Sequence, residues 1–259
     1  MVAVHTRIAT PPAISYEPVI TITSHPDRCA DPATIRSAPK LSMLSAEMTS
    51  QNTGAAMTTS MTRPRLLDLF CKAGGAAVGY YRAGFDVVGV DIETQPHYPF
   101  EFHQADALTY PLDGFDAIHA SPVCLTFARV TNWRGSCENY PDTLTPMMQR
   151  LAAVRTPWIV ENVPEAPLRP DYILCGSQFG LKVRRHRIFQ TSWHGCQLTA
   201  GCSHRELLPF MHKDERAYAD AMGCMWMSKE EARQAIPPAY TEYIGAQLIE
   251  HLARTREQP

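Results

Sequence analysis

The chain has no apolar run approaching the ~20 residues that a membrane-crossing helix requires, so no membrane span is expected. It also lacks net charge: 24 Lys and Arg stand against 26 Asp and Glu, a formal -2. A polyanionic partner would therefore have to be met by a local basic patch, not by the surface as a whole. The eight cysteines show neither the dense, regular spacing of a secreted disulfide framework nor a single C-x-x-C pair. No charged, apolar and small-residue leader opens the chain, and the expectation is reduced thiols in a cytoplasmic setting. For the same reason no metal is expected. His194, Cys196, Cys202, His204 and His212 fall in one irregular stretch, but no C-x-x-C accompanies them.

What is present suffices for one sizeable core: 259 residues, 45% of them apolar. Residues 1–60 contribute little to it. They are rich in Pro, Ser, Thr and Ala without sustained apolar periodicity, and read as a disordered tail. From Arg65 the texture changes. Leu66-Leu67-Asp68-Leu69-Phe70 is a short apolar strand, Gly74-Gly75 a tight turn, and Ala76 to Ala83 a helix. Phe85 to Asp91 is a second buried strand ending in a carboxylate. In a nucleotide-binding β-α-β unit such an acid takes the ribose hydroxyls, and the glycines let the backbone approach the ligand.

Further along, the apolar run from Phe115 to His119 leads into Ala-Ser-Pro-Val-Cys-Leu-Thr-Phe-Ala, residues 120–128. Cys124 thus stands on a loop just past a strand end, on the edge where open α/β sheets bind ligands. A long polar stretch, Arg129 to Asp142, has the composition of an active-site lid. Thr145 to Val154 predicts a helix with Met147, Met148, Leu151 and Val154 on one face. Trp158-Ile159-Val160 predicts a strand that delivers Glu161-Asn162-Val163 to the same edge as Cys124 and Asp91. The run Lys182 to Phe189 carries Arg185 and Arg187, which share a side if the segment is extended. Ala217 to Gln234 reads as helical, and Tyr240 to Leu252 as a closing amphipathic helix after Pro237-Pro238.

Taken together, from about Arg65 to Leu252 and in matching order, these motifs resemble the DNA cytosine carbon-5 methyltransferase family, particularly its small stand-alone phage members. The resemblance implies an α/β fold: a Rossmann-like, doubly wound, mostly parallel sheet of the S-adenosylmethionine-dependent methyltransferase type, with a small irregular target-recognition insertion. It implies a cofactor-binding and catalytic domain at 61–190, a target-recognition region at 191–217, and C-terminal helices at 218–259 returning to the catalytic domain. S-adenosylmethionine would be the cofactor and double-stranded DNA the partner of a monomer without an obligate protein partner. Asp68, Phe70, Gly74 and Gly75 would form the cofactor loop, with Phe70 against the adenine. Asp91 would hold the ribose and Asp106 the adenine amino group, Ile92 and Pro122 would belong to the same site, and Gly245 would mark the helix that returns to it. Cys124 would be the nucleophile, Glu161 the acid at the base edge, and Arg185 and Arg187 the pair near a flipped base.

The chemistry explains the residue types. Carbon 5 of cytosine is a poor nucleophile until a thiolate adds to carbon 6, and a group at ring nitrogen 3 must draw electron density as it does. The chain departs from the family pattern at Val123 and Leu125, where the family has Pro and Gln, and at Lys72 and Val183, where it has Gly and Gln. Gly245-Ala246-Gln247 replaces a Gly-Asn-Ser pattern. Lys72 stands beside the expected amino-acid end of the cofactor, where its ammonium could reach a carboxylate. Two other readings stay open: a related transferase acting on RNA or carrying another group, and a cofactor- or DNA-binding module without catalysis.

Overall fold

Strand β1 (Arg65–Leu69) is buried along nearly its whole length, with apolar side chains on both of its faces. Such a strand belongs at the centre of a parallel sheet covered on both sides. A computed structural model of the protein describes residues 62–128, 139–205 and 215–257. The expected tail, most of the polar stretch 129–142 and part of the region 191–217 lie outside the described residues.

Seven strands form one sheet: β1, β2 (Asp86–Asp91), β3 (Glu101–Gln104), β4 (Ala117–Ala120), β5 (Trp158–Asn162), β6 (Tyr172–Leu174) and β7 (Arg187–Thr191), in the order β3-β2-β1-β4-β5-β7-β6. β3, β2, β1, β4 and β5 run parallel, while β7 is antiparallel to both β5 and β6. The chain leaves β1 toward β2 on one side and later returns to β4 on the other. Open α/β sheets bind ligands at such a reversal, outside the carboxyl ends of the strands.

Leu66 and Leu67, adjacent in β1, serve opposite faces. Leu66 joins Tyr80, Val87, Ile244 and Leu248 beneath helices α1 (Gly75–Ala83) and α5 (Pro238–Glu257). Leu67 joins Val90, Ile118, Met147 and Leu151 beneath α2 (Leu144–Ala152). The first pair of helices meets closely. A Cβ on Gly79 would lie 2.0 Å from Thr241 Oγ1, and one on Gly245 would lie 2.8 Å from the Cβ of Ala83. Gly245, on α5, is therefore a packing residue against α1.

The expected continuous helix from Ala217 to Gln234 is two helices, α3 (Glu215–Met222) and α4 (Lys229–Gln234). Gly223 (φ +72°) turns the chain between them, and Ser228 caps α4 by accepting from Glu231 N–H while Glu231 reaches back to the Ser228 amide. Met222, Cys224, Met227 and Ala235 pack there with Ala73 of the glycine loop and Val183 of the basic segment.

Candidate active site

The β1–α1 loop is set by its backbone. Phe70 and Lys72 adopt positive φ (58° and 44°) and Gly74 follows at 82°. Left-handed conformations at side-chain-bearing residues cost roughly 1–3 kcal/mol each and concentrate at functional sites. Gly75 is required by proximity, because a Cβ there would stand 2.4 Å from the Ile236 carbonyl oxygen. The C-terminal residues that reach the cofactor loop are thus Ala235 and Ile236, just before α5, and the sequence reading had missed them. Asp68 lies beneath the loop, fully buried, with the buried Tyr98 hydroxyl as its polar neighbour. Burial first, and the charge of Asp91 second, hold its pKa well above the ordinary carboxylate range.

Asp91 ends β2 with each carboxylate oxygen engaged once: Lys72 N–H donates to Oδ2 and Glu93 N–H to Oδ1, both at 3.1 Å. A carboxylate offers about four acceptor sites, so capacity for further donors is left. Ile92 beside it is 66% exposed. Phe70 is half-buried against the second core cluster. Asp106 lies past β3 with Oδ1 accepting from Leu108 N–H at 2.8 Å, which fixes the direction of its exposed side chain. Pro122 is buried and its carbonyl accepts from Asn162 Nδ2 at 3.1 Å, so that oxygen braces the loop. Lys72 Nζ is 2.8 Å from Glu93 Oε2 and 3.6 Å from Asp91 Oδ1. It borders a cavity of about 150 Å³ that Glu93, Glu230 and Glu231 also line. The Lys72 ammonium is thus paired with the chain's own acids, Glu93 and Asp91.

Past the switch point the site is built from charge. Cys124 follows β4 in a loop braced from two sides, by Asn162 on Pro122 and by Thr143 Oγ1, which accepts from Val123 N–H at 2.9 Å. The second bond is one a proline could not make, so the departure at Val123 is compensated by a hydrogen bond. Leu125 is partly exposed on the same loop. Glu161 ends β5 with only 5% exposure, its Oε1 2.7 Å from Arg187 Nε. That oxygen has no partner in hydrogen-bond geometry, so the contact is ionic and not well aligned. Burial raises the Glu161 pKa, while Arg187, Arg185 and a hydrogen bond from Ser121 pull it down. Burial likewise raises the Cys124 thiol, opposed by Arg187, reinforced by Glu161 and opposed again by Arg185.

Arg185 is buried without a partner for its Nε, its carbonyl held by the Tyr240 hydroxyl at 2.5 Å. Burial, then the neighbouring Arg187 charge, lowers its pKa to about 10. Behind this cluster the buried His119 links Tyr80 Oη (3.0 Å from Nδ1) to Ser121 Oγ (2.7 Å from Nε2). Burial holds the His119 pKa down to about 3, so the ring is neutral at physiological pH. The structure therefore brings Cys124, Glu161, Arg185 and Arg187 into one coupled group at the sheet edge. It adds Ser121, Thr143 and Asn162, which the sequence alone did not single out for the site.

The strand order, the lone antiparallel β7 and the glycine turn after β1 define a Rossmann-like α/β fold with a mostly parallel seven-stranded sheet. Among solved structures, the chain is similar to the Entamoeba histolytica methyltransferase EhMeth, with TM-score 0.50 and 10% identity over 76% of this chain and 99% of that one. It is also similar to the S. pombe Dnmt2 methyltransferase (TM-score 0.48, 15% identity, 73% and 99% covered). A third similar structure is a candidate DNA modification methyltransferase encoded within an E. coli prophage (TM-score 0.37, 19% identity, 49% covered), of whose length the chain spans 45%. No protein-family model and no curated protein matches the chain. The likeness to the first of these, at 10% identity, concerns the fold.

Proposed function

We propose that the protein transfers a methyl group to carbon 5 of a flipped-out cytosine in double-stranded DNA, through a covalent adduct on Cys124, and that it acts as a monomer. The observation that carries this reading is the buried Glu161–Arg187 pair, 2.7 Å apart, electrostatically coupled to a half-buried loop cysteine. A thiol, a carboxyl group and two guanidinium groups at adjoining strand ends match what addition to a pyrimidine ring requires.

The residues present fit S-adenosylmethionine. Asp91 has acceptor capacity beside the exposed Ile92, and the β1–α1 loop turns sharply at the end of β1 through the positive φ of Phe70, Lys72 and Gly74. When bound, that cofactor supplies an electrophilic methyl group. The protein's part is to activate the base. Cys124 adds as thiolate to carbon 6, and once carbon 5 carries the methyl group, loss of the carbon-5 proton to water expels the thiolate and restores the ring. Glu161, whose pKa burial raises against the pull of Arg187 and Arg185, hydrogen-bonds ring nitrogen 3 and shares a proton with it as the thiolate adds. Arg185 and Arg187 offer donors to the carbonyl oxygen and phosphates. The base must leave the stack, at a cost of a few kcal/mol, because none of these groups can reach it in a duplex.

Duplex DNA containing 5-fluorocytosine tests this, since fluorine cannot leave as the carbon-5 proton does. With S-adenosylmethionine present, the wild type is expected to form an adduct stable to denaturing electrophoresis, and Cys124→Ala none. Adduct on RNA of the same sequence but not on DNA would move the substrate to RNA. Methylation without any adduct would overturn the role of Cys124.

A further inference from the structure

Away from the crevice, the sulfur and nitrogen atoms of Cys175, His186, Cys202 and His204 lie within 4.8 Å of one another. We propose that these four residues bind one structural zinc ion. Cys175 Sγ is 3.6 Å from His204 Nε2, and Cys202 Sγ is 3.6 Å from His186 Nε2. Tetrahedral zinc with bonds of about 2.3 Å to sulfur and about 2.05 Å to nitrogen places such ligand pairs roughly 3.6 Å apart. The two imidazole rings stand edge to face, 86° apart with centroids at 5.0 Å, so their nitrogens converge without stacking. Two thiolates and two imidazoles in tetrahedral array select zinc over harder cations. Ser177 Oγ donates to Cys175 Sγ at 3.5 Å, the kind of outer contact that supports a metal-bound thiolate.

The placement gives the ion a purpose. Cys175 follows β6, His186 lies between Arg185 and Arg187 ahead of β7, and Cys202 and His204 come from the segment after β7, which up to residue 205 forms no helix or strand. That segment is otherwise attached mainly by polar contacts, among them Gln178 Nε2 donating to Thr199 Oγ1 and to the Ala200 carbonyl, Gln197 bonding Ile173, and Leu198 N–H donating to the Tyr243 hydroxyl. Among its described residues, Trp193 is the large side chain it buries. A chain stretch that cannot bury a core of its own is the setting in which metal coordination supplies the folding energy. Zinc would pin this stretch to the sheet and hold the backbone that carries the arginine pair. The site does not depend on the identity of the transferred group.

The test uses the full chain purified without chelator. Elemental analysis is expected to find about one zinc per chain. Replacement by cobalt should give the intense visible bands of a tetrahedral thiolate-bound ion. Cys202 and His204 are exposed, so Cys202→Ala and His204→Ala should fold, and each should lose the metal and the cobalt spectrum. Ser177→Ala should weaken affinity by roughly tenfold. Wild-type protein without zinc after growth in zinc-supplemented medium, unchanged zinc content in a variant carrying both Cys202→Ala and His204→Ala, or a disulfide between Cys175 and Cys202 would each overturn the assignment. Slower 5-fluorocytosine trapping by metal-depleted protein would show that the ion also positions Arg185 and Arg187. Unchanged trapping would overturn that positioning role alone.

Discussion

On the β1–β2–β3 side of the crevice, Asp68, Phe70, Lys72, Gly75 and Asp91 come from one short run of chain and are held by backbone geometry: positive φ, amide-to-carboxylate bonds, and a glycine against the Ile236 carbonyl. On the β5–β7 side, Cys124, Glu161, Arg185 and Arg187 come from three segments and are held by charge in a buried setting. The first side works by shape and tolerates charge changes at its rim. The second works by mutual compensation, so removing one member exposes the others to the full cost of burial.

The largest test of that contrast is Arg187→Met, which leaves Glu161 buried without its nearest partner and should cost about 3 to 5 kcal/mol in denaturant unfolding. Adding Glu161→Gln should restore most of the loss, whereas independent, additive losses would erase the distinction between the two sides.

His119 comes next. Its folded pKa, about 3, is depressed from 6.5, so below pH 6.5 the unfolded chain takes up a proton that the folded protein does not. Stability is thus fully present above pH 6.5 and lost progressively as pH falls toward 3, on the order of 3 kcal/mol at pH 4. His119→Gln should flatten that part of the pH–stability curve, and an unchanged acid limb would show that other groups dominate it.

On the backbone side, Gly75→Ala should cost roughly 1 to 3 kcal/mol through the clash with Ile236. It should also reduce cofactor binding in calorimetric titration, with little effect on the Glu161–Arg187 coupling.

The smallest effect is expected at Lys72. Lys72→Gly relieves a left-handed conformation worth about 1 kcal/mol and gives up an exposed contact with Glu93 worth less, so the melting temperature should rise slightly. A marked loss of cofactor affinity would mean that the ammonium contributes to the cofactor site after all.

The two sides also differ in how legible they were. Short apolar strands and the glycine turn reveal themselves through local pattern, and the Cys124 loop and Glu161 could be placed because each directly follows such a strand. The braces from Thr143 and Asn162 carry no local signature, since they act on a loop reached only through the fold. Gly245 shows the limit from the other direction. Its family-like position points to the cofactor, but that it packs against α1, and that Ala235 and Ile236 stand against the glycine turn, shows only in the fold.

By itself, then, the sequence determined the α/β class and the glycine loop, because strand periodicity and turn chemistry are local properties of the chain, and the family resemblance nominated Cys124, Glu161, Arg185 and Arg187. Only the tertiary structure decided which of these groups share charge, and that Cys175 and His186 stand beside Cys202 and His204. Those ligands come from the end of β6, the loop before β7 and the irregular segment after it. Antiparallel pairing of β6 with β7 is what brings the segments together, and that contact is a long-range event that no short motif encodes.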